Sequence, residues 1–379
     1  MGTRRRASKA AVLAVLMCAS ARAEGSVQVE PVARLGLEGG YDSNVLYDGR
    51  GGDNLGRVSP DLGLQLRNHT WNLGLVAGGD LLMYQQRRSA PVWNQRGRLV
   101  LNARLDPRLT LESELGATYA PDPIGLARLG IFSRAGAALI TSGSARLGWR
   151  MNHDWQIAGT LAEHMVRFDA GTGAASHTPG LEATRRLDER LELGGAYRFD
   201  IFQGLGAGSR DAYAHELQAI ARYRWTRRIS LEAEGGAALW TSPAGGGQSV
   251  VPEASVELLA SGRAGDARVT LKHGVGLGNL ATPGLFDAAE VAFTARPWRS
   301  LRLHADGGLW RSGAIPWGAG GIVGYGVDGE IAWLFSRGFR MGLAVSRFGR
   351  ADTADTTFDR STVGLRLGWE LLHHHERAY

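Results

Sequence analysis

The chain has 379 residues, 44% of them hydrophobic and 21% charged, which is enough for one large domain or two ordinary ones. Its 54 glycines are about twice the usual share of ~7%, but they stand within alternating strands and at turns, which argues against disorder. The formal net charge of +6 is concentrated near the N-terminus, so it gives no reason to expect a nucleic-acid partner.

The first predicted element is a cleaved signal peptide over residues 1–23. A positively charged start is followed by an apolar stretch at 10–17 and by the small-residue pattern at 21–23. The basic residues removed with this leader are Arg4, Arg5, Arg6, Lys9 and Arg22. Their loss leaves 38 of the 43 Lys and Arg residues against 37 Asp and Glu, so the mature chain is nearly neutral.

The only cysteine, Cys18, lies within this leader. Met17 before it is larger than a lipoprotein signal normally allows, so we expect cleavage without lipidation. Cleavage after Ala23 then leaves an exported chain with no cysteine, and its stability must come from a source other than disulfides. A closed barrel supplies such a source through continuous backbone pairing.

Residues 24–371 are predicted to form one all-β domain, a transmembrane antiparallel β-barrel of about 18 strands. Short polar turns such as 187–190 alternate with longer loops rich in Gly, Ala and Ser such as 121–130. Barrels of the Gram-negative outer membrane have this alternation and an even strand number. Residues 372–379 are predicted to form a short tail. No further apolar stretch reaches the ~18 residues that a transmembrane helix needs.

The candidate strands alternate between apolar and charged residues. Leu193 and Tyr197 are predicted to face lipid, whereas Glu192 and Arg198 between them would face the lumen. A soluble sandwich would give the same alternation, and the large number of strands decides for the barrel. Thirteen residues are candidates for lining the pore: Glu112, Glu114, Glu192, Arg198, Asp200, Arg222, Arg224, Glu232, Glu234, Arg302, Asp306, Arg340 and Arg366.

Neither charge sign dominates this candidate lining. A strongly selective ion pore would carry a ring of one sign. Mixed charges can act on a substrate, or they can form cross-strand ion pairs that stiffen the wall. The sequence leaves both interpretations open.

The last predicted strand carries a pattern that resembles the terminal-strand signal read by the barrel-assembly machinery. Its marking residues are Thr362, Gly364, Leu367 and Trp369. Many barrels end at such a strand, whereas here the tail with His373–His375 follows it. We expect the assembly machinery and outer-membrane lipid to be partners of the chain.

Catalytic signatures are absent from the sequence. It has no Gly-x-Ser-x-Gly elbow, Walker loop or Cys-pair metal motif, so we expect no enzyme activity, no cofactor and no native metal site. The three adjacent histidines of the tail could bind a transition metal in vitro. A Ser/His pair of a barrel-embedded lipase or deacylase remains an open alternative.

The first predicted strand contains Gly40, Tyr41, Asp42, Ser43 and Asn44, and the next contains Val58-Ser59-Pro60. This opening resembles that of outer-membrane barrels associated with exopolysaccharide and capsule export. The resemblance covers about 30 residues. It implies a companion barrel to a Wza-like periplasmic polysaccharide-export protein, with a polysaccharide as substrate. The residues themselves also fit a strand end that feeds an external loop.

The resemblance makes an outer-membrane channel component for polysaccharide secretion the first functional hypothesis. The mechanism would be a passive, wide and hydrated conduit, since no loop of 30 residues or more is available to fold inward. The alternative is a general diffusion or sugar porin. A third hypothesis is a structural or adhesive barrel, or a lipid-modifying one.

Overall fold

The computed structural model describes residues 27–45, 51–86, 90–121, 137–206, 211–242, 247–277, 283–313, 322–335, 338–351 and 358–370. The predicted signal peptide and the predicted tail at 372–379 lie outside these ranges. Within them, no helix has the length and apolarity needed to cross a membrane.

The described chain forms eighteen strands of 12 to 16 residues. They are β1 Gln28–Asp42, β2 Asp53–Arg67, β3 Trp71–Tyr84, β4 Val92–Asp106, β5 Leu109–Ala120, β6 Ala138–Arg150, β7 Trp155–Phe168, β8 Gly173–Arg186, β9 Leu191–Leu205, β10 Ala212–Arg224, β11 Ile229–Ser242, β12 Gly247–Gly262, β13 Gly265–Leu277, β14 Pro283–Trp298, β15 Leu301–Gly313, β16 Ile322–Leu334, β17 Phe339–Ala351 and β18 Phe358–Glu370.

Every strand pairs antiparallel with its neighbours in sequence, and β1 pairs with both β2 and β18. The sheet therefore closes on itself without a free edge. This confirms the predicted fold class, an antiparallel barrel of 18 strands.

The tight turns at one end of the barrel are held by polar side chains at their first position. Asp188 accepts hydrogen bonds from the backbone N–H groups of Arg190 and Leu191, at 2.6 and 2.8 Å. Asn152 accepts hydrogen bonds in the same way from the backbone N–H groups of Asp154 and Trp155. The hydrogen bonds from Arg190 and Leu191 hold the pKa of the Asp188 carboxyl below its usual value. These turn residues therefore fix where one strand ends and the next begins.

The outer surface of the barrel is apolar along its whole circumference. Leu62, Leu217 and Leu309, on widely separated strands, are 67%, 70% and 60% exposed. Tryptophans lie near the tight-turn ends of the strands and are also exposed: Trp149, Trp155, Trp225, Trp298, Trp333 and Trp369. An apolar band flanked by aromatic residues is the lipid-facing surface of an outer-membrane barrel. The chain accordingly belongs to the Gram-negative outer membrane, as predicted.

The closure between β1 and β18 includes a buried ion pair. Arg360 and Asp42 are fully buried, and the guanidinium contacts both carboxylate oxygens, with Nε at 2.9 and 3.0 Å. A second guanidinium nitrogen donates to the Tyr84 hydroxyl at 3.0 Å. Since the two charged residues lie on the first and last strands, the pair joins the two ends of the sheet.

The neighbouring residues of the Gly40–Asn44 segment also contact β18. Ser43 exchanges hydrogen bonds with Ser361, and the Asn44 amide donates to the Asp359 carbonyl at 2.9 Å. A Cβ on Gly40 would lie only 2.2 Å from the Val363 carbonyl oxygen, so only glycine fits there. The segment that suggested a resemblance thus closes the barrel.

Candidate functional site in the barrel lumen

The inner face of the barrel is rich in charged residues. Along each strand, side chains alternate between faces, and the apolar set lies outside. The strand register places all thirteen predicted pore-lining residues on the opposite, inner face. A role in transport remains a prediction for each of them.

Most of these thirteen residues take part in ion pairs along the wall. Glu114, Glu192, Arg198, Arg222, Glu232, Glu234, Asp306 and Arg366 have a charged or histidine partner within 4.0 Å. The other five lie elsewhere on the same face. Glu112 opposes Arg146, and Arg224 opposes Ser230. Arg302 and Arg340 line a large cavity, and Asp200 lies among other acidic groups.

One ion-pair network extends along the wall from β6 to β11, with members on five strands. The Arg222 guanidinium lies 2.9 Å from both Glu182 and Glu192, and 3.0 Å from Glu232. Arg146 on β6 reaches the same Glu182 at 2.5 Å. These contacts cross intervening strands, so they connect the wall over more than one hairpin.

A second network lies on the opposite wall. Glu38 on β1 accepts from Arg57 at 3.1 Å and from Arg366 at 2.9 Å. Arg96 bridges Asp61 and Asp80 at 2.7 and 2.9 Å. This wall borders a cavity of about 840 Å³ that is lined by eight arginines and five carboxylates. It is the more basic side of the lumen.

The wall around β10 is acidic. Asp200, Glu216 and Glu253 are each 6% exposed, and within the described part of the chain none has an ion-pair partner. Gln218 donates to Glu253 at 2.6 Å, and Thr178 donates to Asp200. The adjoining cavity of about 410 Å³ is lined by five glutamates against one arginine and one lysine.

The acidic and basic walls face each other across the lumen. In a closed sheet of eighteen strands, β10 lies nine strands from β1 in either direction. The inner face was predicted to carry both signs of charge, and it does. The concentration of acidic groups on one wall and of arginines on the other, and the burial of Glu216, Gln218 and Glu253, were not predicted. Register alone would have placed Glu216 and Gln218 beside Arg198, but nothing in the sequence marks Glu253.

The backbone ladder between β12 and β13 ends early. The last pair on the side of the longer loops is Ala254–His273, although both strands continue for at least four residues. The Glu253 carboxylate enters this gap and accepts a hydrogen bond from the Val275 amide at 3.1 Å. A Cβ on Gly274 would lie 2.8 Å from that carboxylate oxygen. Gly274 therefore leaves room for the Glu253 side chain, which pairs with the Val275 amide where the backbone ladder has ended.

Beyond this gap the end of the β13–β14 hairpin lies inside the barrel wall. Val275 and Leu285 occupy outward positions by alternation, yet both are buried. They pack with Phe202, Trp240 and Val251, which belong to the wall of β9 to β12. The hairpin end has therefore bent inward, and its outer face covers the inner face of neighbouring strands.

The bent hairpin narrows the lumen with apolar side chains. Leu277 at its end packs against the cluster just described and also against a cluster on β5 to β8 that includes Ile140, Val166 and Phe168. The longer loops of such barrels are extracellular, so this apolar layer lies toward the cell exterior. The sequence predicted a wide lumen without constriction. The structure differs because a strand end, and not a long loop, makes the constriction.

The predicted assembly signal occupies the closing strand. Leu367 and Trp369 lie on the outer face, and Trp369 is exposed. Thr362 is buried, and its hydroxyl lies 2.5 Å from that of Ser346. Gly364 opposes Gly40 across the closure. Recognition of this strand by the assembly machinery stays a prediction.

Comparisons with known proteins return the barrel architecture. No family model matches the chain, and no curated protein matches it. Among solved structures, OpdK of Pseudomonas aeruginosa with vanillate is similar at 12% identity and a TM-score of 0.45, covering 90% of this chain and 98% of its own. OccAB3 of Acinetobacter baumannii has 9% identity, a TM-score of 0.44, and coverages of 90% and 99%. A BenF-like porin of Pseudomonas fluorescens has 12% identity, a TM-score of 0.42, and coverages of 90% and 99%.

Two predictions are corrected at this point. The resemblance to export-associated barrels, and the function in polysaccharide secretion drawn from it, are wrong: the solved barrels named above, a BenF-like porin among them, are not polysaccharide-export barrels. The physical reason is that the Gly40–Asn44 segment serves barrel closure, which any such barrel needs. The apolar layer also narrows the lumen that a polymer conduit would keep open. The partners implied by the resemblance, a periplasmic export protein and a polysaccharide, are untested.

Proposed function

We propose that this chain is a non-enzymatic diffusion channel of the outer membrane that admits small hydrophilic solutes. The observation that carries the proposal is the polar inner face of a closed 18-stranded barrel, lined with ion-paired charges and small residues. Barrels of 16 to 18 strands leave an aqueous channel inside. The alternative hypothesis of the sequence analysis, a diffusion or sugar porin, is therefore the one retained.

The size of the free space supports small solutes. The cavities along the inner wall measure about 410, 320 and 840 Å³. Binding sites for small molecules fall in the range of ~300–1,000 Å³. The apolar layer near the extracellular end further narrows the lumen. Hydrophobic constrictions of this kind also oppose the passage of water and ions.

The two charged walls support a preference for solutes that carry both signs of charge. A zwitterion that crosses between the acidic wall of β9 to β13 and the basic wall, which runs from β14 through β18 to β4, can place each end near its opposite charge. A simple ion meets attraction on one side and repulsion on the other. We therefore expect weak selectivity between potassium and chloride, together with faster passage of zwitterionic than of neutral solutes of equal size.

Liposome swelling and planar bilayers test the proposal together. Vesicles with the refolded chain should swell in isotonic glycine betaine or small amino acids, and more slowly in sugars of increasing size. Bilayers with the chain should give stepwise currents with a reversal potential near zero in a salt gradient. Control vesicles should receive heat-denatured chain. Heat-modifiable migration on a denaturing gel would show that the barrel is folded. If a folded barrel gives neither swelling nor current, the channel function is refuted.

A further inference from the structure

Three neighbouring tight turns of the barrel are unusually basic. The five-residue segments 224–228, 262–266 and 296–300 lie where β10 meets β11, where β12 meets β13 and where β14 meets β15. Together they contain six arginines and one carboxylate, that of Asp266. These arginines form the basic turn patch: Arg224, Arg227, Arg228, Arg263, Arg296 and Arg299.

The tight turns between β2 and β9 do not share this excess of positive charge. Their corresponding segments, 67–71, 104–108, 150–154 and 186–190, contain six arginines against four carboxylates. The short turns of such barrels lie on the periplasmic side of the membrane. The basic turn patch is therefore one arc of the periplasmic rim.

The arginines of the patch are exposed, and the protein does not balance their charge. Within the described part of the chain, none of the six has a carboxylate within 4.0 Å or a side-chain hydrogen bond. Arg222 on the inner wall differs, since it contacts three glutamates at 2.9 to 3.0 Å. The patch thus leaves its charge to be balanced by a ligand or by salt ions.

Backbone hydrogen bonds join the three turns into one surface. The Ser261 amide donates to the Arg228 carbonyl at 2.7 Å, and the Arg296 amide donates to the Ala264 carbonyl at 2.5 Å. Within the first turn, the Thr226 hydroxyl accepts from the Arg228 amide at 3.1 Å. The backbone that carries the arginines is thus held in place before a ligand binds.

Two tryptophans place the patch at the depth of lipid headgroups. Trp225 and Trp298 lie on the first and third of these turns and are 68% and 67% exposed, the highest values among the described tryptophans. Tryptophans of membrane proteins lie at the boundary between hydrocarbon and headgroups. Arg227 and Arg299 follow them within two residues. Guanidinium groups therefore lie where lipid phosphates begin, and arginine matches phosphate through paired hydrogen bonds.

This position favours a lipid over other anions. Arg227, Arg228, Arg263 and Arg299 lie in the turns between the strands, whereas a solute in the lumen would contact the inner face of the strands. An acidic periplasmic protein would have no need of tryptophans at the lipid boundary. Clusters of basic residues next to membrane-spanning segments attract anionic headgroups.

We propose that the basic turn patch binds the phosphate groups of an anionic phospholipid in the periplasmic leaflet, and that a lipid with two phosphates, such as cardiolipin, binds most tightly. The guanidinium groups contact the phosphates, and the rings of Trp225 and Trp298 contact the adjoining glycerol and acyl chains. The inference depends on the outer-membrane location of the barrel and not on the proposed channel function.

Native mass spectrometry of the refolded chain in an uncharged detergent tests the patch, with cardiolipin as the probe. The fraction of chain that carries cardiolipin is measured at increasing lipid concentration. The triple variant Arg227→Gln, Arg228→Gln, Arg299→Gln should bind roughly fivefold more weakly for each arginine removed, on the order of a hundredfold in total. Lysine at the same three positions should retain most of the binding, because the positive charges remain.

The matched control is the triple variant Arg108→Gln, Arg150→Gln, Arg190→Gln. It removes the same charge from exposed arginines of three other tight turns. Its cardiolipin binding should equal that of the unmodified chain. Heat-modifiable migration on a denaturing gel shows whether each variant is folded. Equal weakening in the two glutamine variants would overturn the proposal, because net charge alone would then explain the binding.

Competition on the unmodified chain separates the lipid from other anions, and it decides the question even if a variant fails to fold. Phosphatidylcholine and inorganic phosphate should not displace cardiolipin. A penta-glutamate peptide should displace it only when in large excess. Displacement by phosphatidylcholine would remove the need for negative charge, and displacement by inorganic phosphate would assign the patch to a free anion. Displacement by equimolar peptide would assign it to an acidic protein, and each of these three results would overturn the proposal.

Discussion

The Glu253→Ala substitution should loosen the hairpin that narrows the lumen. It leaves the Val275 amide and the Gln218 amide group without their carboxylate partner, and both lie in a buried setting. Hydrogen bonds to charged groups contribute ~1.5–3 kcal/mol each. Removing a buried carboxylate returns part of this, because its own desolvation no longer opposes folding. We expect a net loss of about 2–4 kcal/mol in the free energy of unfolding.

The functional consequence should be a wider opening. With the hairpin end free to leave the wall, single-channel conductance in planar bilayers should rise and become noisier. The temperature at which the barrel unfolds, measured by the shift of its band on a denaturing gel, should fall. Gly274→Ala should act in the same direction, because its Cβ would meet the Glu253 carboxylate at 2.8 Å.

Gly276→Ala is the matched control for this experiment. It lies two residues further along the same strand, and its Cβ would meet Phe286 at an ordinary distance of 3.6 Å. Its conductance and unfolding temperature should equal those of the unmodified chain. Unchanged conductance in both the Glu253→Ala and Gly274→Ala variants would refute the inference that this carboxylate holds the constriction.

Three further predictions concern the barrel itself. Asp42→Ala should cost about 3–5 kcal/mol, because it removes the carboxylate that balances the charge of the fully buried Arg360 guanidinium; urea unfolding measures this free energy, and a loss below 1 kcal/mol would contradict the prediction. Leu193→Arg should impair membrane insertion, since charge on the lipid face costs ~2–4 kcal/mol at mid-membrane, whereas Ser144→Arg on the inner face should insert normally; equal insertion would show that the faces are misassigned. Asp188→Ala should lower stability at neutral pH and not in strong acid. The folded pKa of Asp188 is lowered, so its contribution is present above the unfolded pKa and is lost as pH falls through the folded value; a pH-independent difference in unfolding temperature would contradict this.

The strands and their faces could be predicted because one physical rule governs them. Side chains alternate across a strand, so Leu193 and Glu192, which are adjacent in sequence, must face opposite sides of the sheet. Turn chemistry was equally local, as Asp188 and its two amides illustrate. Both kinds of information lie within a few residues, and the sequence displays them directly.

The constriction could not be predicted because it departs from that rule. Val275 and Leu285 occupy outward positions by alternation, and only the bend of the hairpin turns them inward. At the bend Glu253 contacts Val275, which lies 22 residues later in sequence. No local pattern encodes such a contact.

The family resemblance failed for a related reason. Asp42 and Asn44 belong to the segment that carries the resemblance, and their partners Arg360 and Asp359 lie more than 300 residues away on the closing strand. A requirement of barrel closure can recur in barrels of many functions. Such a motif indicates the architecture and says little about the transported solute.

The closure of β1 against β18 also sets the order in which this protein can fold. Each hairpin between sequence neighbours can form as soon as its two strands are available. The contacts of Asp42 with Arg360 and of Glu38 with Arg366 span 318 and 328 positions, so they must form last. Contacts of such long range slow folding, and until they form the sheet has two open edges that invite aggregation. The exported chain therefore depends on being held unfolded until its final strand has arrived.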